Sequence, residues 1–87
     1  MAKRTGFVGV ILERRDCVEA VNHVLTDHAE MILARMGLPC RDKGISVITL
    51  VVEATTDELG TLTGKLGKIN GVSVKSALAK QGKRDGF

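Results

Sequence analysis

A chain of 87 residues with 44% hydrophobic but only 2% aromatic residues has room for one small domain with an aliphatic core. No apolar run approaches the roughly 20 residues that cross a bilayer, which argues against a membrane protein. The net charge of +3 lies at the ends: residues 1–4 and 80–87 carry +2 each, whereas residues 5–79 carry eight basic and nine acidic groups. We therefore interpret the two ends as flexible basic tails, and the near-neutral body argues against nucleic-acid binding without a partner protein.

The cysteines Cys17 and Cys40 lie in unrelated local contexts, and no charged segment followed by an apolar one opens the chain. The sequence therefore lacks both the paired spacing of a disulfide framework and the layout of a secretory signal. We expect a cytoplasmic protein with reduced thiols.

Residues 7–12 and 45–54 are apolar at both odd and even positions. This pattern is typical of strands that are buried on both faces of a sheet. Two predicted helices can cover only one face. We therefore expect a second copy of the chain to cover the other face, which predicts a dimer or tetramer.

Capping boxes mark the start of both predicted helices. Asp16 with Glu19 begins the first, and Thr55 with Glu58 begins the second. Gly71 and the preceding asparagine are expected to end the second helix, because both tolerate a left-handed backbone. The apolar stripes are Val18, Val21, Val24 and Leu25 in the first helix and Leu59, Leu62, Leu66 and Ile69 in the second.

Residues 29–39 allow two interpretations. Their helix-forming residues could extend the first helix as far as Met36. However, Ile32, Ala34, Met36 and Leu38 also alternate, and a short polar segment of hairpin length follows before the next strand. We predict a strand.

The order of elements predicts an α+β fold. Residues 10–13 are similar to residues 50–53, and a capped helix follows each segment. With two helices and paired strands, this similarity favours a ferredoxin-like βαββαβ sandwich, with a four-stranded antiparallel sheet and two helices on one face.

Residues 60–75, with their run of glycines around Lys65, resemble a family of small proteins named for a regulatory role in iron-only hydrogenase systems. Residues 8–13 and 32–39 extend the resemblance over nearly the whole chain. It implies an ACT-like fold, similar to the C-terminal sensor domain of nickel-responsive repressors, and assembly through the sheets.

Two departures limit what this resemblance implies. ACT domains that bind amino acids usually have a glycine in the turn after the first strand, where this chain has Arg14, Arg15 and Asp16. Nickel-responsive sensors use alternating histidines, and this chain contains no His-x-His. A DNA-binding segment is also not expected before the first strand, so a transcriptional role would need a partner or a basic tail.

Gly60, Gly64 and Gly67 fall on one side of the second helix, about 150° from its apolar stripe. Glycine is costly within a helix, so this side, together with Lys65, is our candidate for contact with a ligand or another subunit. It is not a phosphate loop, because the spacing between glycines is three residues and Leu66 follows the lysine.

The strand–helix turn with Arg14 and Asp16 is the second candidate site. We predict no catalytic residues, no metal and no cofactor. His23 and His28 are five residues apart, which is poor geometry for one metal ion. Cys40 lies close to two basic residues and is either a redox-sensitive thiol or a plain surface thiol.

The family resemblance implies a regulatory or accessory protein of an iron-only hydrogenase system, and the residues give little support for an enzyme. It would self-associate and respond to a small-molecule effector bound between subunits. The alternative is a structural interaction module that joins a partner and binds no ligand.

Overall fold

The computed structural model describes residues 2–40 and 42–80 and gives the predicted βαββαβ order. Short 3₁₀ turns at Arg15–Cys17 and Ala29–Met31 flank the first helix. The strands and helices are β1 Arg4–Leu12, α1 Val18–Asp27, β2 Ile32–Cys40, β3 Ile45–Ala54, α2 Thr56–Gly67 and β4 Val72–Leu78.

The four strands form one antiparallel sheet in the order β2-β3-β1-β4. The central pair is in register from Arg4 opposite Ala54 to Leu12 opposite Ser46. This topology confirms the predicted ferredoxin-like fold. The alternative of one long first helix is wrong, because α1 ends at Asp27 and β2 is in place from Ile32, three residues later than the segment predicted to be a strand.

One face of the sheet, here called the covered face, packs against both helices. Alternation along the strands directs one set of side chains from β1 and β3 to this face, where they meet the apolar stripes of α1 and α2. Within the described residues this core contains no buried polar side chain. Its main members are Val8, Val10, Leu12, Ile48, Leu50, Val52 and Ala54 from the strands and Val21, Leu25, Leu59, Leu62 and Leu66 from the helices.

The opposite face, here called the open face, carries the other set of side chains. The register of the pairs places them in rows across the four strands. The open face consists of Thr5, Phe7, Gly9 and Ile11 from β1, Ala34, Met36 and Leu38 from β2, Val47, Thr49, Val51 and Glu53 from β3, and Ser73, Lys75 and Ala77 from β4.

A bulge interrupts β2 near its start. Ile32 lies opposite Val52, but Ala34 lies opposite Val51, so Leu33 is an extra residue between the two pairs. The bulge changes the alternation: Ile32 packs against the core, whereas Ala34 and the alternate residues after it belong to the open face.

The two helices begin differently. The predicted capping box of α2 is confirmed: the Glu58 backbone N–H donates to Thr55 Oγ1 at 3.1 Å, and the Thr55 backbone N–H donates to the Glu58 carboxylate at 2.9 Å. The predicted box of α1 is wrong. Asp16 lies inside the 3₁₀ turn, and Cys17 occupies the cap position of α1 without its side chain accepting a hydrogen bond from the helix.

The second helix ends at Gly67, earlier than predicted. Gly71 follows in a left-handed conformation with φ of 87°, directly before β4. It therefore turns the chain into the last strand rather than ending the helix.

The predicted N-terminal tail is shorter than expected, because Arg4 is the first residue of β1. Its guanidinium donates to the Ala79 carbonyl at 3.1 Å and to Thr56 Oγ1 at 2.9 Å. Residues 81–87 of the predicted C-terminal tail lie outside the described residues. Within the parts of the chain that the structure describes, neither helix has the length and hydropathy to span a membrane.

Candidate functional site

The open face exposes large apolar side chains. Met36 is 69% exposed, Leu38 62% and Phe7 50%, and Ile11 and Val51 are also exposed. Because these residues occupy adjacent rows on three neighbouring strands, they form a continuous patch rather than scattered positions. Contiguous apolar patches of this kind mark interaction surfaces.

An ion pair organises the turn between β1 and α1. Arg14 Nη2 lies 2.7 Å from Asp16 Oδ2, and Arg14 Nε donates to Asp16 Oδ1 at 3.0 Å. The hydrogen bond from Arg14 holds the pKa of the Asp16 carboxyl below its ordinary value, and the same bond raises the pKa of Arg14. The pairing explains why Asp16 does not cap α1: its carboxylate is bound to the guanidinium two residues earlier.

The same arginine packs against the start of β4. A Cβ atom at Gly71 would come within 2.8 Å of both Cγ and Cδ of Arg14. The Glu13 backbone N–H also donates to the Gly71 carbonyl at 2.8 Å. The strand–helix turn is therefore held against the residue that precedes β4. Gly71 is required there both for its left-handed backbone conformation and for the space that Arg14 occupies.

A groove of about 220 Å³, here called the arginine groove, lies between this turn and the adjoining ends of β2 and β3. Its apolar lining includes Leu12, Val18, Pro39 and Ile45, and Arg15 lines it with Arg14. A second hollow of about 170 Å³ shares several of these residues and extends between α1 and β2. The arrangement combines a cationic rim with an apolar floor.

Arg15 is the more available cation in this groove. Asp16 already pairs with Arg14, and among the described residues no carboxylate lies within ion-pair distance of Arg15. The predicted site at the turn thus contains a second arginine that the sequence prediction did not include.

Cys40 also lines the arginine groove and is half-buried, whereas Cys17 is buried and donates its S–H to the Arg14 carbonyl at 2.9 Å. Both are free thiols. Arg41, one of the two basic residues predicted to influence Cys40, lies outside the described residues. Whether Cys40 is redox-sensitive therefore stays a prediction.

The glycine side of α2 points away from the core, as predicted. Gly60, Gly64 and Gly67 are exposed, and a Cβ atom at any of them would meet no atom of another described element within 4 Å. Lys65 is also exposed on this helix. The glycines therefore do not serve a close contact within residues 2–40 and 42–80, and their contact with a ligand or subunit stays a prediction.

The two histidines have different surroundings. His23 Nε2 is 3.5 Å from Asp27 Oδ2, one helical turn away. His28 Nε2 is buried without a hydrogen-bond partner among the described residues, beside a cavity of about 230 Å³ that Glu30 and Glu58 also line. Across residues 2–40 and 42–80, no group of three or more His, Cys, Asp or Glu side chains is arranged to hold a metal ion.

Comparison with known families decides the relationship of this chain. A model of the TM1266-like family, described as "Iron-only hydrogenase system regulator, putative", matches residues 4–76. The chain belongs to this family. No curated protein sequence matches it.

Solved structures agree with this membership. The chain is similar to TM1266 from Thermotoga maritima, with a TM-score of 0.86 and 37% identity over 90% of this chain and 99% of that one. It is also similar to the ACT domain of a GTP pyrophosphokinase from Chlorobium tepidum, with a TM-score of 0.74 and 22% identity over 86% and 99% of the two chains. The C-terminal domain of MgtC from Mycobacterium tuberculosis gives 0.70 and 16% identity over 97% and 96%. The last two show the shared ACT-like fold alone.

Membership in the TM1266-like family confirms the resemblance predicted from the glycine-rich segment. Sequence reasoning nevertheless missed the arginine groove, because its floor combines Pro39 and Ile45 from a distant hairpin with Val18 from α1. The available signal was the adjacent pair Arg14 and Arg15 at a strand end, where ligand-binding residues are often placed.

Proposed function

We propose that this protein is a regulatory or accessory protein of an iron-only hydrogenase system that self-associates through its open face and responds to a small-molecule effector. The TM1266-like family description supports the regulatory role. The observation that carries the proposal is the patch of exposed apolar side chains on the open face. We assign the protein no catalytic step.

The size of the open face favours an interaction surface. The sheet has four strands about 4.8 Å apart, and a strand of nine residues rises about 3.4 Å per residue. The product of this width and length is a plan area of roughly 600 Å² for the open face. This approaches the roughly 800 Å² that each partner buries in a standard interface. A domain of this size also buries a smaller share of its surface on folding than a larger domain does, so a partner would add stability.

Met36→Glu tests the self-association. It places a charge at the most exposed apolar position of the open face, and we expect it to convert an oligomer to a monomer in sedimentation velocity. Thr26→Glu is the control, since it introduces the same charge at an exposed position of α1, away from both the open face and the arginine groove. It should leave the oligomer intact. A wild-type protein that is monomeric at micromolar concentration would disprove this part of the proposal.

The arginine groove is the proposed effector site. Its guanidinium rim and apolar floor favour a small anion with an apolar part, and the adjoining hollow reaches Leu38 on the open face. A ligand that binds one assembly state more tightly than another shifts the population toward that state. The groove is therefore placed to affect assembly.

Native mass spectrometry of protein purified from its own cells tests the effector. We expect a reproducible added mass that is lost in Arg15→Ala and retained in Lys68→Ala, a control that removes an exposed cation outside the groove. An oligomer that retains no ligand would favour the alternative, a structural interaction module that relies on the same open face without sensing anything.

A further inference from the structure

The charged residues of the open face form a complementary pair. Among the described strand residues, Glu53 on β3 and Lys75 on β4 are the only charged side chains on this face. Both are exposed. All other open-face positions are apolar residues, glycine, serine or threonine.

These two side chains cannot meet within one chain. Glu53 shares its row with Thr5, and Lys75 shares its row with Gly9, so the two lie two strands and four residues apart. With about 4.8 Å between strands and about 3.4 Å per residue, their separation is roughly 17 Å. If another molecule covers the open face, each of these charges therefore needs an oppositely charged partner from that molecule.

Phe7 lies at the midpoint between them. It is on β1, which separates β3 from β4, and it is two residues from both Thr5 and Gly9. Consider a two-fold axis that lies parallel to the sheet, passes above Phe7 and runs perpendicular to the line from Glu53 to Lys75. This axis places Glu53 of one copy over Lys75 of the other.

We propose that a second copy of this chain packs open face to open face about that axis, so that Lys75 pairs with the partner's Glu53 and Glu53 with the partner's Lys75. This inference rests on the proposed self-association and specifies its geometry. Phe7 then contacts the partner's Phe7 at the axis, where two aromatic rings can stack. Placing the axis this way crosses the strands of the two sheets at roughly 70°, near the orthogonal class of sheet packing.

Charge complementarity is the reason to choose a second copy as the occupant. A charge covered by an apolar surface is costly unless it is paired. A two-fold contact presents the same residues on both sides, so one acid and one base placed symmetrically about Phe7 give two pairs and leave neither charge alone.

Charge-reversal variants test this geometry. In Glu53→Lys the dimer would contain two lysine–lysine contacts, and in Lys75→Glu two glutamate–glutamate contacts. We expect each variant alone to dimerise at least about tenfold more weakly than wild type. The double variant should recover the wild-type dissociation constant, and circular dichroism melts should show that all three fold.

Mixing the two single variants gives the sharpest result. A mixed dimer places the lysines of one chain opposite the glutamates of the other, so both contacts are attractive. Native mass spectrometry of an equimolar mixture should therefore show predominantly mixed dimers. Asp57→Lys and Lys68→Glu, which lie on or directly after α2, form a control pair that should give the statistical half.

The outcomes separate this inference from the proposed function. Statistical mixing of the Glu53 and Lys75 variants, in a protein that still dimerises, would overturn the paired geometry and leave self-association standing. A monomeric wild-type protein would overturn both.

Discussion

The two faces of the sheet come from the same strands and both carry large apolar side chains, yet only one face is buried within the chain. On the covered face Val8, Val10 and Leu50 are wholly buried by the helices. On the open face Phe7 and Met36 remain at least half exposed. The difference shows that apolar content alone does not determine burial within the chain, because two helices can shield only one side of a sheet.

The two faces therefore have different roles. Residues on the covered face stabilise the fold of one chain, whereas residues on the open face are available for association. Substitutions at neighbouring positions along one strand should therefore affect different properties.

Leu50→Ala and Val51→Ala give the largest expected contrast. Leu50 is fully buried, so its truncation should lower the free energy of unfolding by about 2–5 kcal/mol. Val51, the next residue, is 39% exposed on the open face. Its truncation in a Met36→Glu background should cost less than about 1 kcal/mol. Urea denaturation measures both, and equal losses would contradict the division between the faces.

Gly6 and Gly9 of β1 give a second matched comparison. A Cβ atom at Gly6, on the covered side, would clash with the carbonyl oxygen of Ala77 and would lie 2.9 Å from the Leu78 Cα atom. A Cβ atom at Gly9, on the open face, would meet only the Lys75 carbonyl oxygen among the described residues, at 3.9 Å. We expect Gly6→Ala to cost about 1–3 kcal/mol and Gly9→Ala to leave the melting temperature of the fold unchanged or higher. A tolerated Gly6→Ala would contradict the close approach of β1 and β4.

Thr55→Ala weakens the layer that covers the sheet. It removes the side-chain cap of α2 and should cost about 1 kcal/mol in chemical denaturation. Asp16→Ala is the control, because Asp16 pairs with Arg14 and does not cap α1. We expect neither change to alter the oligomeric state. Dissociation of the Thr55→Ala oligomer at temperatures where it is folded would mean that the two faces are coupled.

The smallest expected effect is a pH dependence at the same cap. The hydrogen bond from the Thr55 backbone N–H lowers the pKa of Glu58 below its ordinary value of 4.5. Since the folded pKa lies below the unfolded one, Glu58 stabilises the fold above about pH 4.5, and this contribution is lost as pH falls through the folded value. Glu58→Gln should flatten this part of the curve in urea melts between about pH 6 and pH 3. A wild-type slope in the variant would assign the dependence to another carboxyl.

Most of the fold follows from local sequence patterns. Alternation in β1 and β3 and the capping box at Thr55 are short-range signals, and each is confirmed. The predicted start of α1 was wrong because the Asp16 carboxylate binds Arg14, two residues earlier, instead of the helix backbone. The sequence alone does not distinguish a capping aspartate from one in an ion pair. The end of α2 was wrong because Gly71 is equally suited to ending a helix and to beginning the next strand.

The candidate sites were less predictable, since they depend on which distant segments meet. The pair of Arg14 and Arg15 is visible in the sequence, but the apolar floor at Pro39 is not. Likewise, Glu53 and Lys75 become related only through the register of β3, β1 and β4. Local patterns carry no information about that register.

The bulge at Leu33 determines the chemistry of the open face along β2. If β2 alternated continuously from Ile32 with Leu33 kept in the ladder, Met36 and Leu38 would turn toward the helices and Arg35 would lie on the open face. In the present register Arg35 instead donates to Asn22 Oδ1 on α1. Loss of the bulge with every residue kept would therefore replace apolar side chains on this face by a cationic one, so the register of this edge strand, as much as its residue types, determines what the open face can bind.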